Sequence, residues 1–241
     1  MNSRAAEYDN PIRRRLDGIA SKHLPSQHPF FACLAESPSE RIFEPDRLGE
    51  LLHRYQAAMH ATRAMAYSLP MLDSPDLRKR KLQILIDDDG LADGDTHHHQ
   101  LTRAFIRMSA ELKIDDDRYD DLETLQTQVD GKTARFIAAV HRLYVRSLGA
   151  WAIVEILSND WMHALAKALA VHFPGIVSEP YFADCFEGHV EERHGLEALN
   201  LVDLVCARRP NFVEPTFRDA DEMARELTHF WDALHELILS A

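Results

Sequence analysis

Glycine and proline are scarce, at 9 and 11 in 241 residues. The long segments between them repeat apolar residues at a period near 3.6 rather than 2, which argues against strands and for an all-α chain. Cysteine is scarcer still. Cys33, Cys185 and Cys206 are odd in number and show no Cys-x-x-Cys spacing, so neither a disulfide framework nor a zinc ribbon is expected. No apolar run reaches the roughly 18 residues of a membrane-spanning helix. The opening MNSRAAEYDNPIRRRLDGIA also lacks a signal-type apolar stretch, so a soluble, cytoplasmic protein is expected. Positive charge is in deficit, with 27 Lys and Arg against 39 Asp and Glu and a net charge of -12. That balance argues against nucleic acid or an anionic membrane surface as the partner and favours a small molecule or a protein. A hydrophobic content of 46% at this length supports one substantial core, hence a single domain over residues 1–241 without internal repeats.

The helices expected from caps and periodicity run in order. Asn10-Pro11 opens one to about His23, and a short one spans about His28 to Glu36. Pro45-Asp46 opens a long helix with the stripe Leu48, Leu52, Tyr55, Met59, Ala66 and Leu69, closed by Pro70. Ser74-Pro75 begins another, ending near Asp87 to Gly90, and one follows from about Thr96 to Leu112. Asp115 to Asp120 starts a helical pair interrupted at Gly131, and Gly149 marks a further break. Helices then cover Ala150 to Phe173, a stretch opening at Pro180, and about Thr216 to Leu239.

Chemistry concentrates in EGHVEERH, residues 187–194. On a helix, Glu187, Glu191 and His194 share one face, which continues through the apolar Ala198, Leu201 and Val205. Two carboxylates and an imidazole facing a core are costly unless paired, and a bound cation is the commonest remedy. Glu191-x-x-His194 is also the spacing by which helix bundles hold paired iron or manganese ions. A second acid-x-x-His pair is Asp95 and His98, with Asp88 seven residues earlier. Of the three consecutive histidines, His98 is in phase with Leu101, Phe105, Met108 and Leu112 and is expected to face inward, while His97 and His99 flank it. Read alone, the acidic stretch 87–95 is equally a solvated loop. Glu155 interrupts the stripe Leu148, Trp151, Ser158, Met162, Leu165 and Leu169, and a core glutamate is unusual unless paired. Oxygen donors with imidazoles suit iron or manganese better than zinc or iron–sulfur chemistry. No carboxylate lies between Glu50 and Asp73, so the long early helix offers only His60 as a possible ligand, or a structural histidine.

These motifs resemble the heme-oxygenase-like diiron oxidases and oxygenases, relatives of the TenA, PqqC and CADD proteins, over roughly Pro29 to Ala207. That family carries an acid, often a second acid seven residues on, a His three further, and then Leu and Phe. Asp88, Asp95, His98, Leu101 and Phe105 keep this spacing. Its C-terminal His-x-x-x-Asp-x-x-His follows an aromatic pair. Here Tyr181-Phe182 precede Glu187-x-x-x-Glu191-x-x-His194, with Glu in place of the His and of the Asp. His189 either compensates or is a bystander, and the family's early Glu has no counterpart.

The resemblance implies a compact bundle of about seven helices around a metal centre. The implied ligands are Asp88, Asp95, His98, Glu155, Glu187, Glu191 and His194, with His60 and His189 as further candidates, and Trp151, Tyr181 and Phe182 as pocket walls. It further implies two Fe(II) ions, the second held more loosely, and O2 as cosubstrate. The substrate would be an amino acid or amine undergoing C–C cleavage, N-oxygenation or desaturation in a natural-product pathway. Open alternatives are a cofactor-free PqqC- or TenA-like enzyme or binding protein, and a structural bundle whose buried acids pair with Arg63, Arg107 or Arg193. Monomer and homodimer are both compatible with the sequence.

Overall fold

The computed structural model describes residues 10–36, 45–89, 97–108, 129–186 and 189–240. Among these residues there are helices and turns and no strand. The α-helices are α1 (Pro11–Ala20), α2 (Pro29–Glu36), α3 (Pro45–Thr62), α4 (Pro75–Asp88), α5 (His97–Met108), α6 (Gly131–Tyr144), α7 (Leu148–Ala170), α8 (Pro180–Phe186), α9 (Val190–Arg208) and α10 (Val213–Leu239). Side-chain caps start several of them. Asn10 accepts from the backbone N–H of Ile12, Ser74 from Asp76, and Asp130 from Lys132 and Thr133. Proline stands at the first turn of α1 and α4, where its missing N–H is harmless.

The bundle is built around α7, which is apolar on nearly every side and buried along its length. It packs against α9 and α10, while α9 also meets α4 and α10 meets α6. Its core side chains include Trp151, Ile153, Leu157, Trp161, Met162 and Leu165. Burial of each large side chain stabilises the fold by about 1.5–3 kcal/mol before conformational entropy is subtracted. Two glycines set how closely the helices approach. A Cβ on Gly149 would lie 1.9 Å from the carbonyl oxygen of Thr216 on α10, and one on Gly195 of α9 would lie 3.1 Å from that of Glu155.

Two expected breaks are present. Val129 and Asp130 are non-helical, and Asp130 caps α6 at Gly131. The break expected at Gly149 falls at 145–147, and Gly149 itself lies in the first turn of α7, where its missing side chain serves the contact with α10. One sequence expectation changes. The 187–194 motif does not continue the helix that opens at Pro180. That helix ends at Phe186, and α9 starts afresh at Val190 after His189, which adopts a left-handed φ of 49°. The segment expected to begin at Asp115 to Asp120 lies outside the described residues. No described helix is long and apolar enough to cross a membrane.

Candidate metal centre

Three helices each bring an ionisable side chain to one buried point. Asp88 is the last residue of α4, on a face shared with Leu77, Lys81 and Ile84. Glu155 lies in the middle of α7, and His194 one turn into α9. Their relative exposures are 7%, 5% and 3%. One ligand atom from each lies within 4.8 Å of the others, a spacing that a single cation can span. Glu191 and Glu155 line the same chamber, and Glu191 sits in the first turn of α9, where the helix dipole favours a carboxylate.

Local contacts hold the donors. The indole N–H of Trp151, one turn before Glu155, donates to Glu155 Oε1 at 2.7 Å. Ser158, on the same face, donates to the Glu155 carbonyl at 2.8 Å, while burial and the Asp88 charge raise the pKa of Glu191. The imidazole of His194 lies between two carboxylates, with Nδ1 3.3 Å from Asp88 and Nε2 3.5 Å from Asp87. Arg63, just past the end of α3, donates to the Asp88 carbonyl at 3.1 Å, and its Nη1 lies 3.7 Å from the Asp88 carboxylate. The stretch between Glu50 and Asp73, which holds no carboxylate, thus delivers a cation instead.

The electrostatics follow from burial and crowding. Burial opposes ionisation of Asp88, but Arg63 and then His194 outweigh it and hold the carboxyl below its usual range. For Glu155, burial and the nearby Asp88 charge raise the pKa to about 8. For His194, burial opposes the charge, yet Asp88 and the other two carboxylates lift the pKa to about 9. Protons and Arg63 therefore balance the cluster in the metal-free protein. Hard oxygen donors with an imidazole fit iron or manganese. The Nδ1 of His194 is buried with Asp88 nearby yet makes no aligned hydrogen bond, as suits a ring whose lone pair is to serve an ion.

The chamber beside the cluster measures about 40 Å³. That is room for about three water molecules, enough for an ion and small ligands but not for an amino-acid-sized guest. Tyr181 lines it and is steadied by Tyr55, whose hydroxyl is 3.2 Å away. Of the other expected walls, Phe182 is fully buried against the Tyr181 ring, and Trp151 supports Glu155; neither lines the chamber.

His97 lines the chamber, its ring edge-on to Tyr181 at 5.9 Å, where a flanking position was expected. His97, Leu101 and Ala104 fall at i, i+4 and i+7, which places the histidine on the buried stripe of α5. His99 is exposed, and the His98 side chain lies outside the described residues, as do Asp95 and Glu187. His189 faces outward and pairs with Glu192 at 3.3 Å, because the left-handed turn at its own backbone directs it away from the cluster. His60 is half-buried and does not line the chamber. Lys81 and Tyr144, both buried and electrostatically coupled to Glu155, were not singled out by the sequence reading. The signal for Lys81 was its place in the stripe Leu77, Lys81, Ile84, Asp88.

A family profile described as iron-containing redox enzyme matches residues 50–225, which include every member of the cluster. The chain belongs to that family. Its fold is the heme-oxygenase-like all-α bundle that the motifs suggested. A TenA homologue protein from P. horikoshii OT3 shares this fold, with a TM-score of 0.52 and 14% identity over 94% of this chain and 97% of its own. No curated protein matches the sequence.

Proposed function

We propose that this member of the iron-containing redox enzymes is a non-heme, O2-dependent oxidase or oxygenase acting on a small polar substrate, an amino acid or amine, in a biosynthetic pathway. The observation that carries the reading is the convergence of Asp88, Glu155 and His194 from three helices onto one buried point. These residues would hold the first Fe(II), with Glu191 beside them. His97, together with Asp95, His98 and Glu187, supplies the proposed donors for a second, looser ion. Bound Fe(II) supplies the electrons that O2 activation requires.

The protein's own part is to bind, orient and exclude water. Arg63 keeps Asp88 ionised, and the buried Tyr181, Met59 and Met162 line the chamber beside it. His194 would bind through Nδ1 only after losing the proton there, while Asp87, 3.5 Å from Nε2, accepts from the N–H that remains and orients the ring. Because the chamber is too small for the substrate, we place the substrate body in the adjoining cleft of about 710 Å³, which shares Glu191 with it. Arg13, Arg14, Asp17 and Glu192 border this cleft together with Ile156 and Leu199, a mixture that suits a zwitterion with an apolar body. C–C cleavage, N-oxygenation and desaturation remain the reaction classes in view.

One observation favours a second reading. The ion pair of Arg63 with Asp88 already balances part of the cluster without a metal, as a cofactor-free enzyme using His194 and Asp88 for proton transfer would require. Anaerobic Fe(II) titration followed by Mössbauer spectroscopy, then O2 uptake with a panel of amino acids and amines, decides between the two. Iron bound near stoichiometry with substrate-dependent O2 uptake supports the first reading. Protein that takes up no iron under any of these conditions leaves the cofactor-free reading in its place.

A further inference from the structure

Lys81 has no part in the site as described so far, yet it lies beside it. It is 1% exposed, and among the described residues its ammonium nitrogen has no hydrogen-bond partner. That nitrogen sits 3.2 Å from the centroid of the Trp151 ring. The same indole donates its N–H to Glu155 Oε1 at 2.7 Å. A lysine buried with only an aromatic face for company is expensive, and burial drives its pKa well below the usual value while Glu155 pulls the other way. If Lys81 served packing alone, an apolar chain of similar length would serve better, since replacing a buried charge with a hydrophobic residue is commonly neutral or stabilising.

We infer that Lys81 is a positioning residue for the metal centre: by resting on the face of Trp151 it fixes the indole whose N–H occupies one oxygen of Glu155, leaving the other oxygen as the donor offered to the ion. The chain of contacts runs from α4 through α7 to the cluster and uses three side chains in succession. Lys81 and Asp88 lie on the same face of α4, so the helix that supplies one ligand also steadies another. Ligand-orienting partners of this kind are worth about 10- to 100-fold in metal affinity. The inference rests on the iron-site reading above.

The test uses Co(II) as a spectroscopic probe on the full chain, in wild type, Lys81→Met, Trp151→Phe and the double variant, with affinity and melting temperature measured for each. Trp151→Phe keeps an aromatic face for Lys81 and removes the N–H together with the pyrrole ring, so its melting temperature reports the cavity separately from the affinity. Lys81→Met is expected to melt at or above the wild-type temperature while binding Co(II) about tenfold more weakly, with an altered ligand-field spectrum. Trp151→Phe should weaken binding to a similar degree, and the double variant should be no weaker than the worse single one, because the two act along one path. Unchanged affinity in Lys81→Met overturns the inference, and so do fully additive losses. If Lys81→Met does not fold, unchanged affinity in Trp151→Phe overturns it equally. Wild-type protein that binds no Co(II) defeats the metal-site reading itself, which is a different outcome from wild-type binding with unaffected variants.

Discussion

His194 and Asp88 meet across α9 and α4 with Nδ1 and Oδ1 3.3 Å apart, and the contact makes the histidine a far stronger base than a free imidazole, with a pKa of about 9. Its pKa is raised above the ordinary 6.5, so the resulting stability is fully present below about pH 6.5 and is lost as pH rises through about 9. For His194 alone the difference amounts to roughly 3 kcal/mol. Glu155, raised to about 8, acts in the same direction, its contribution being lost as pH rises from the usual carboxylate range through 8. Lys81, whose pKa is lowered, works the opposite way as pH rises, but the two raised groups outweigh it, so the metal-free protein should melt progressively lower between pH 6.5 and 9. A metal ligated by the same groups replaces their protons, so its affinity, and the increment it adds to the melting temperature, should grow over this window. Thermal melts with and without Mn(II) at several pH values check both trends. A metal-free melting temperature that rises with pH would contradict the assignment.

Removing a donor should separate the cluster from its neighbours. Glu155→Ala and His194→Ala are each expected to reduce bound iron by at least tenfold, since losing one ligand leaves the others without a common centre. Glu191→Ala should also lower iron content, because that carboxylate lines the same chamber. His189→Ala should leave iron unchanged, because that side chain faces solvent beside Glu192. Metal analysis of protein purified after iron supplementation reads all four variants.

The neighbouring histidines allow a sharper comparison. His97→Ala should weaken metal retention and perturb Tyr181, whose ring it meets edge-on, whereas His99→Ala, at an exposed position, should do neither. Equal behaviour of the two variants would show that the α5 face is wrongly assigned.

That comparison also shows what periodicity can and cannot read. Glu155 stood out in the sequence because its neighbours at helical spacing along α7 are apolar apart from Ser158, and its burial follows from that pattern. The choice between His97 and His98 was not decidable in the same way, because Leu101 lies four residues from one and three from the other, and both intervals fall on a common face. The left-handed turn at His189 was illegible for a different reason. Gly188, just before it, is a break signal, but the helical spacing of Glu187, Glu191 and His194 favoured reading one continuous helix, although the backbone divides there. Arg63 illustrates a third limit. The sequence offered it with Arg107 and Arg193 as a partner for buried acids, and the choice among them depends on the end of α3 meeting the end of α4, a tertiary contact that no local pattern encodes.

Gly149 on α7 and Gly195 on α9 each sit at a close helix contact, and substitutions at the two should fail in different ways. A methyl group at Gly149 would lie 1.9 Å from the Thr216 carbonyl oxygen and 2.7 Å from its carbon, both backbone atoms that cannot rotate aside. Gly149→Ala therefore has to push α10 away from α7, and its cost should exceed the roughly 1–3 kcal/mol of ordinary overpacking. At Gly195 the nearest atom is the Glu155 carbonyl oxygen at 3.1 Å, so a shift of a few tenths of an ångström in α9 relieves the contact. Such a shift costs little stability, but it moves His194 relative to Glu155, and a metal centre tolerates such displacement poorly. Gly195→Ala should thus fold with a melting temperature near wild type while binding iron several-fold more weakly, whereas Gly149→Ala should be destabilised throughout. Chemical denaturation paired with metal titration distinguishes the two. Wild-type metal affinity in Gly195→Ala would mean that the spacing between α7 and α9 does not set the geometry of the centre.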